Sequence, residues 1–525
     1  MDSRKLIVTH RARLVSKYAL SGADAIDGAV AALIAADAER GLKTHYVHLD
    51  IANEVEPFGT KPVTKKPAAA DCKKVIDKIF AVLKPEYLVL LGSDDVIPHF
   101  VVPNPALGTK SRDPEKEVPT DNPYASSQRF NLNVRRSYLI TDRVVGRIPD
   151  LPNASDPTAL LNYLDAATTA APLGAAEFAL DLLVCCDLWK DSGNACAAVL
   201  GRQAADLFLS PPTLHNTSLL TARHHARLQM IKCHGLPFNP AFYGDNNLKR
   251  PEVLTTSSLL GRTADGTVVG AMCCFGAAVY DPTNPAVSQP GVPGIASTYL
   301  DQRASGFVGS TCLSYVGTTT MGAADVIVTR FLQNVMAGDS LGTAFLNSKQ
   351  QFVADIGKAG QKFIVMEEKT LLQFVLLGDP SLRPMVPDDL QKTAATIPEM
   401  AQGDLALSAA ERRSRRDYHI RLGRQLRELV PTRVEAEGFL NAVDVLQPEE
   451  LELFGKSEPL VQRVRVQRAL NEASGKGSFF TESEETLQYY WFSETPHEHV
   501  IDVKVVIVET DLQGKILRKR VLVSA

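Results

Sequence analysis

The chain of 525 residues is 45% apolar and 22% charged, with a formal net charge of −4. A length of this order suits about two to four globular domains. The ordinary composition and near-balanced charge argue against nucleic acid or a membrane surface as a direct partner.

The opening MDSRKLIVTHRARL enters a strand-like run without the apolar stretch and small-residue cleavage site of a secretion signal, and no segment reaches the roughly 18 uninterrupted apolar residues of a membrane span. Eight cysteines (72, 185, 186, 196, 233, 273, 274 and 312) fall mostly in or beside apolar runs. They lack the regular framework of a small secreted fold and the C-x-x-C spacing of a structural zinc site. The expectation is a reducing, cytoplasmic location with free thiols and no metal cage.

Residues 5–100 alternate strand and helix: KLIVTH, a helix over 22–41, THYVHLD, an amphipathic helix over 69–84, and EYLVLLGSDD. This βαβαβ order, with near-continuous Val/Leu/Ile runs, predicts parallel strands covered on both faces in a doubly wound sheet. Residues 101–135, rich in Pro, Lys, Asp and Asn, read as a long loop. A strand in RRSYLITDRVVGRIPD follows, then a helix around 156–170, the strand FALDLLVCCD and a helix around 194–209. Two apolar runs come next, LQMIKCHG (228–235) and TVVGAMCCFGA (267–277). GFVGSTCLSYVG reads as a further strand, 323–338 and 340–357 as helices, and KTLLQFVLLGDPSLRP closes the sheet.

Beyond about residue 387 the character changes. A charged helix over 410–430, mixed polar structure over 432–475 and period-two strands around the D-L-Q-G-K turn predict a separate accessory domain ending in an antiparallel hairpin. The expected units are 1–150, an N-terminal α/β subdomain; 151–387, a second α/β subdomain; and 388–525, an α+β accessory domain.

The two apolar runs deliver His234-Gly235 and Cys273-Cys274-Phe275-Gly276 to consecutive strand exits. Cysteine catalysis needs a thiolate, a nearby imidazole and backbone N–H groups aimed at an oxyanion. The carboxyl edge of a parallel sheet is where loops converge on an open crevice. His234 and Cys273 are therefore candidate base and nucleophile, Cys274 is the alternative nucleophile, and the Gly235 N–H is a candidate oxyanion donor. His10, also at a strand exit, and the Cys185-Cys186 pair are expected to be structural.

An apolar strand ending in H-G, then one ending in C-x-x-G, resembles the gingipain family of caspase-fold cysteine peptidases (clan CD). Three further segments resemble it in the same order: YLVLLGSDDVIP at 87–98, T-D-N-P-Y-A with ITDRVVGRIP at 120–149, and VLLGDPSLR at 375–383. The resemblance covers roughly residues 5–387. It implies a caspase-like catalytic subdomain at 151–387 and a cysteine endopeptidase acting on a protein substrate. Its C-x-x-G spacing selects Cys273, whereas a caspase-like C-x-G would select Cys274. It also implies a carboxylate orienting His234, for which Asp94 and Asp95 are the candidates. Asp121 matches the aspartate at the floor of the primary pocket in arginine-cleaving relatives, which implies cleavage after Arg or Lys. Thr311 and Cys312 are candidates to line that pocket. No cofactor is expected, with calcium open by family resemblance.

An intracellular endopeptidase must be restrained. The accessory domain, as a site for a regulatory protein partner, and the loop 101–119, with Lys110, Arg112 and Lys116 as self-cleavage sites, are the candidates. Fold-level analogy to caspases suggests a bacterial defence or cell-death protease that activates an effector. The rival readings are a scaffold on an inactive peptidase fold and a nucleotide-binding module. The latter lacks G-x-G-x-x-G and G-x-x-x-x-G-K-[ST].

Overall fold

The computed structural model describes residues 4–525 except 65, 109–110, 213–222, 388–408, 455–456, 470–480 and 498–499. Its centre is a ten-stranded sheet made of β1 (Lys5–Thr9), β2 (Thr44–His48), β3 (Tyr87–Leu91), β4 (Val144–Ile148), β5 (Asp181–Cys186), β6 (Leu207–Ser210), β7 (Leu228–Lys232), β8 (Val268–Ala271), β9 (Gly306–Ser310) and β10 (Phe374–Gly378). The spatial order is β2-β1-β3-β4-β10-β9-β8-β7-β5-β6. Every residue of β1, β3, β4, β5, β7, β8, β9 and β10 is buried. Successive side chains point to opposite faces of a strand, so unbroken burial means that both faces are covered. The expected α/β, doubly wound, mostly parallel sheet is present.

Helices supply the cover. The helix α1 (Arg11–Glu39) buries Leu14, Ile26, Val30 and Leu33, one stripe at helical spacing. Among the described residues it alone is long and apolar enough to cross a membrane. It is followed by α2 (Ala69–Leu83), α3 (Thr158–Thr169), α4 (Lys190–Val199), α5 (Ala323–Met336), α6 (Leu341–Lys358), α7 (Val365–Gln373) and α8 (Ala409–Arg427).

One reversal organises the sheet. All its pairings are parallel except β9 with β10, which run antiparallel from Gly306 opposite Gly378 to Ser310 opposite Phe374. The carboxyl ends of β7, β8 and β9 therefore lie at one edge, and those of β1, β3 and β4 at the other. His234 and the cysteine pair emerge at the first edge, Asp94 and Asp95 at the second.

Two segments depart from the sequence reading. Part of the region read as a long loop is a hairpin, Phe100–Pro103 with Glu117–Thr120; Lys110 lies outside the described residues. GFVGSTCLSYVG splits between two sheets: after β9 the chain turns, and Tyr315–Gly317 joins a six-stranded sheet with the C-terminal strands β11 (Thr432–Glu435), β12 (Leu460–Ala469), β13 (Thr481–His497), β14 (Val500–Thr510) and β15 (Ile516–Ser524). Residue 387 is thus no packing boundary. Buried ion pairs on α7 strengthen the join: Arg518 binds Glu367 at 2.7 Å, and Arg433 binds Glu368 at 2.9 Å. The sequence reading of this region as a separate helical linker and hairpin is corrected accordingly.

Candidate active site

Strand β7 ends at Lys232, and His234-Gly235 starts a small antiparallel ladder with Phe242 and Tyr243. The chain then turns through Gly244 to Asp245, whose Oδ2 lies 3.0 Å from His234 Nε2. Asp245 also accepts from the backbone N–H of Asn247 at 2.7 Å and from Arg250 Nε at 2.9 Å. Burial opposes its charge, but the bond to His234 and these donors outweigh burial and hold the carboxyl at about 2. Burial lowers the His234 imidazole below its ordinary value, against the pull of Asp245. With Asp245 ionised, Nε2 carries the ring hydrogen and Nδ1 is the basic atom. The ring stands edge-on to Trp189, 4.6 Å between centroids.

Strand β8 ends at Ala271, and Cys273–Gly276 forms a tight turn closed by Gly276 N–H to Cys273 O at 3.1 Å. Phe275 has φ 55°, a left-handed conformation uncommon for a non-glycine residue. Its N–H is held by Cys312 O at 2.9 Å. The two thiols diverge from this turn. Cys273 Sγ points back to Ile231 O at 3.7 Å and is wholly buried. Cys274, at the corner, accepts the Ser314 N–H at 3.1 Å on its sulfur, and its own N–H donates to Ala525 O at 2.5 Å. Burial raises both thiols, Cys274 to about 12. Gly235 fits against the turn only because it lacks a side chain, since a Cβ there would lie 2.0 Å from Cys274 O. Among the described residues the hydrogen-bond partner of His234 is Asp245, and neither thiol bonds to the imidazole.

The structure therefore groups His234, Gly235, Cys273 and Cys274, and separates the other candidates from them. Asp94 accepts the backbone N–H of His99 at 2.7 Å, and Asp95 binds Lys17 at 2.9 Å, both beyond the opposite sheet edge from His234. They do not orient His234; Asp245 does. Asp121 is gripped by Arg147 through both oxygens, at 2.6 and 2.9 Å, with His99 at 2.9 Å. Its carboxylate is already committed to a buried guanidinium, so it is no open pocket floor. Thr311 Oγ1 donates to Pro119 O at 2.8 Å, and the Cys312 thiol to Gln373 Oε1 at 3.0 Å, which brace the hairpin and α7 rather than face Asp121. The carboxylate beside Cys274 is instead Glu115, bound with Asp113 to the buried Lys369, each at 2.6 Å. Glu115 also takes the Leu313 N–H at 2.9 Å. Among the described residues no three His, Cys, Asp or Glu side chains are arranged to hold a metal.

Residues 244–385 match peptidase family C25, the gingipain family. Over that span the chain is similar to a family of cysteine-type peptidases. The matched span contains Asp245, Cys273, Cys274, Glu367 and Lys369, and begins ten residues after His234. Among solved structures, a protease is similar over 100% of this chain and 97% of its own, at 14% identity and a TM-score of 0.45. Dimeric latent PorU from Porphyromonas gingivalis is similar over 99% of this chain and 42% of its own, at 10% identity and a TM-score of 0.31. No curated protein matches the chain.

Proposed function

We propose that this peptidase is an endopeptidase whose nucleophile is Cys274, with His234 as its acid–base group and Asp245 as the residue that positions the imidazole. The single observation that carries the choice of Cys274 is its backbone N–H, which donates to the main-chain oxygen of Ala525 at 2.5 Å. An oxyanion hole needs a donor of this kind at the nucleophile. The corner position in a turn with a left-handed Phe275 supports the same choice, because it separates the two thiols, that of Cys274 toward Ser314 and that of Cys273 toward Ile231. The family spacing C-x-x-G favours Cys273, which is the alternative nucleophile in this reading.

In this reading His234 Nδ1 takes the thiol proton and the sulfur attacks the scissile carbonyl carbon. The Cys274 and Gly235 N–H groups steady the oxyanion. As the C–N bond breaks, His234 returns the proton to the leaving amine, and water then hydrolyses the thioester and restores the thiol.

The preference for Arg or Lys passes in this proposal from Asp121 to Glu115. Glu115 is the carboxylate nearest in effect to Cys274, with one oxygen on Lys369 and the other on the Leu313 N–H. Eight unpaired, buried cysteines support a reducing, cytoplasmic location. A regulated role in bacterial defence or cell death, activating an effector protein by cleavage, fits a site as closed as this one.

Fluorogenic Arg, Lys and Asp peptides given to wild type, Cys273→Ala and Cys274→Ala test the reading. Loss of hydrolysis in Cys274→Ala alone is expected, and loss in Cys273→Ala alone would restore the family choice. Glu115→Gln should lower turnover of Arg and Lys peptides by about tenfold or more relative to neutral ones. Inactivity of every form, candidate protein partners included, would favour the scaffold reading.

A further inference from the structure

The proposed nucleophile is covered by the protein's own chain. Cys274 is 4% exposed and His234 6%. What covers them is the end of the C-terminal hairpin. Strand β15 lies antiparallel on Tyr315–Gly317, with Leu522 opposite Gly317, Val523 opposite Val316 and Ser524 opposite Tyr315. Ala525 extends this ladder past the strand: its N–H donates to Ser314 O at 3.0 Å and its carbonyl accepts from Cys274 N–H at 2.5 Å. Residues 522–525 thus run extended between β14 and the edge strand Tyr315–Gly317, with the Ala525 oxygen delivered to the nucleophile's own N–H.

The neighbouring strand reaches the histidine. The register of β14 with β15 pairs Lys504 with Val523, and Val503 N–H donates to Ser524 Oγ at 2.9 Å. That brings Asp502 to the level of Ala525. Asp502 binds Arg250, and Arg250 also binds Asp245, the partner of His234. One hairpin end therefore closes over both halves of the site, on the cysteine through Ala525 and on the histidine through Arg250.

We propose that residues 522–525 are a built-in occupant of the peptide groove, so that the chain rests in a self-inhibited state and a substrate enters only after this segment leaves the Ser314–Gly317 edge. This inference rests on the reading of Cys274 as the nucleophile. The hold is local. Three residues of β15 pair with the groove edge, and of these Leu522 and Val523 also pair with Val505 and Lys504 of β14, so departure of the segment opens the ladder at these two pairs while the pairs from Val506 to Thr510 hold the rest of the hairpin in its sheet. The high pKa of the covered thiol accords with a resting state, since desolvation disfavours the thiolate.

The test uses the full chain in three forms: wild type, a deletion of residues 522–525, and a double variant Val316→Cys with Val523→Cys, which staples the observed pair when oxidised. Two readouts are taken, the rate of Cys274 alkylation by iodoacetamide, located by peptide mapping, and hydrolysis of Arg, Lys and Ala peptides. The deletion should raise Cys274 alkylation at least tenfold and raise hydrolysis with it. The oxidised staple should fall below wild type in both and return to it with dithiothreitol, which keeps the test decisive if the deletion fails to fold. Equal alkylation in wild type and in the oxidised and reduced staple would overturn the proposal. Faster alkylation without hydrolysis of any peptide would keep the self-occupied groove and sink the peptidase reading. Hydrolysis by wild type as fast as by the deletion would do the reverse.

Discussion

The His234–Asp245 pair decides what the imidazole can do. Asp245 stays ionised down to about pH 2, so it fixes the ring hydrogen on Nε2 across the working range and supports the imidazolium that forms during the reaction. Replacing it by Asn keeps the shape and removes the charge. Asp245→Asn is expected to lower kcat/KM by about 10²- to 10⁴-fold. The acid limb of its pH–rate profile should move to lower pH, because the imidazolium loses its partner. A limb that stays put would mean that Asp245 does not act through His234.

Asp121 makes the opposite case. Desolvation alone would raise its pKa, but Arg147 and His99 hold it well below the ordinary carboxylate range. Its contribution to stability is therefore present above about pH 4 and lost as the pH falls through its depressed folded value. Asp121→Ala strands a buried guanidinium and should cost about 3–5 kcal/mol in urea unfolding. The ratio of Arg to Ala peptide turnover in the surviving folded protein should not change. A change in that ratio would return Asp121 to the pocket.

At the level of elements, the histidine and the cysteines were legible because each follows a buried apolar run, and such runs end at a sheet edge. The orienting carboxylate was not. Asp245 reaches His234 through Ala241–Tyr243, a three-residue strand too short to show a period. Asp94 and Asp95 invited the assignment because they also follow an apolar strand. They fail because β9 and β10 run antiparallel, and no local pattern distinguishes a parallel partner from an antiparallel one in a fully buried strand. The Cys273–Cys274 ambiguity was likewise beyond spacing. It turns on a left-handed residue at Phe275, which sequence propensity disfavours.

A buried pair beneath the site ties the elements together. Lys232, at the end of β7, binds Asp325 at 2.5 Å, and Asp325 accepts the N–H groups of Gly317 at 2.8 Å and Gly322 at 2.7 Å. The strand that carries His234 is thereby fixed to the groove edge that receives the peptide. Asp325→Ala is expected to destabilise the fold by about 3–5 kcal/mol. In protein that still folds, it should raise KM for peptides more than it lowers kcat. An unchanged KM would mean that the pair supports stability alone.

Across the whole molecule, the change of composition near residue 387 precedes the strands β11 to β15, and the D-L-Q-G-K turn does close an antiparallel hairpin between β14 and β15. How that unit sits was hidden, because its sheet is completed by Tyr315–Gly317, two hundred residues away in sequence. Pairings at such separation leave no trace in local periodicity. Their consequence is functional: the region read as an accessory domain supplies the strand that lies on the groove and the aspartate that reaches the histidine's partner.

Which thiol reacts separates the two assignments of the nucleophile. An arginyl electrophile, such as a peptidyl acyloxymethyl ketone, applied to the intact chain and to the chain lacking residues 522–525, with the adduct located by mass spectrometry, tests this most directly. The expected result is a single adduct on Cys274, faster in the shortened chain, abolished by Cys274→Ala and kept in Cys273→Ala. An adduct on Cys273, or labelling that survives Cys274→Ala, would contradict it.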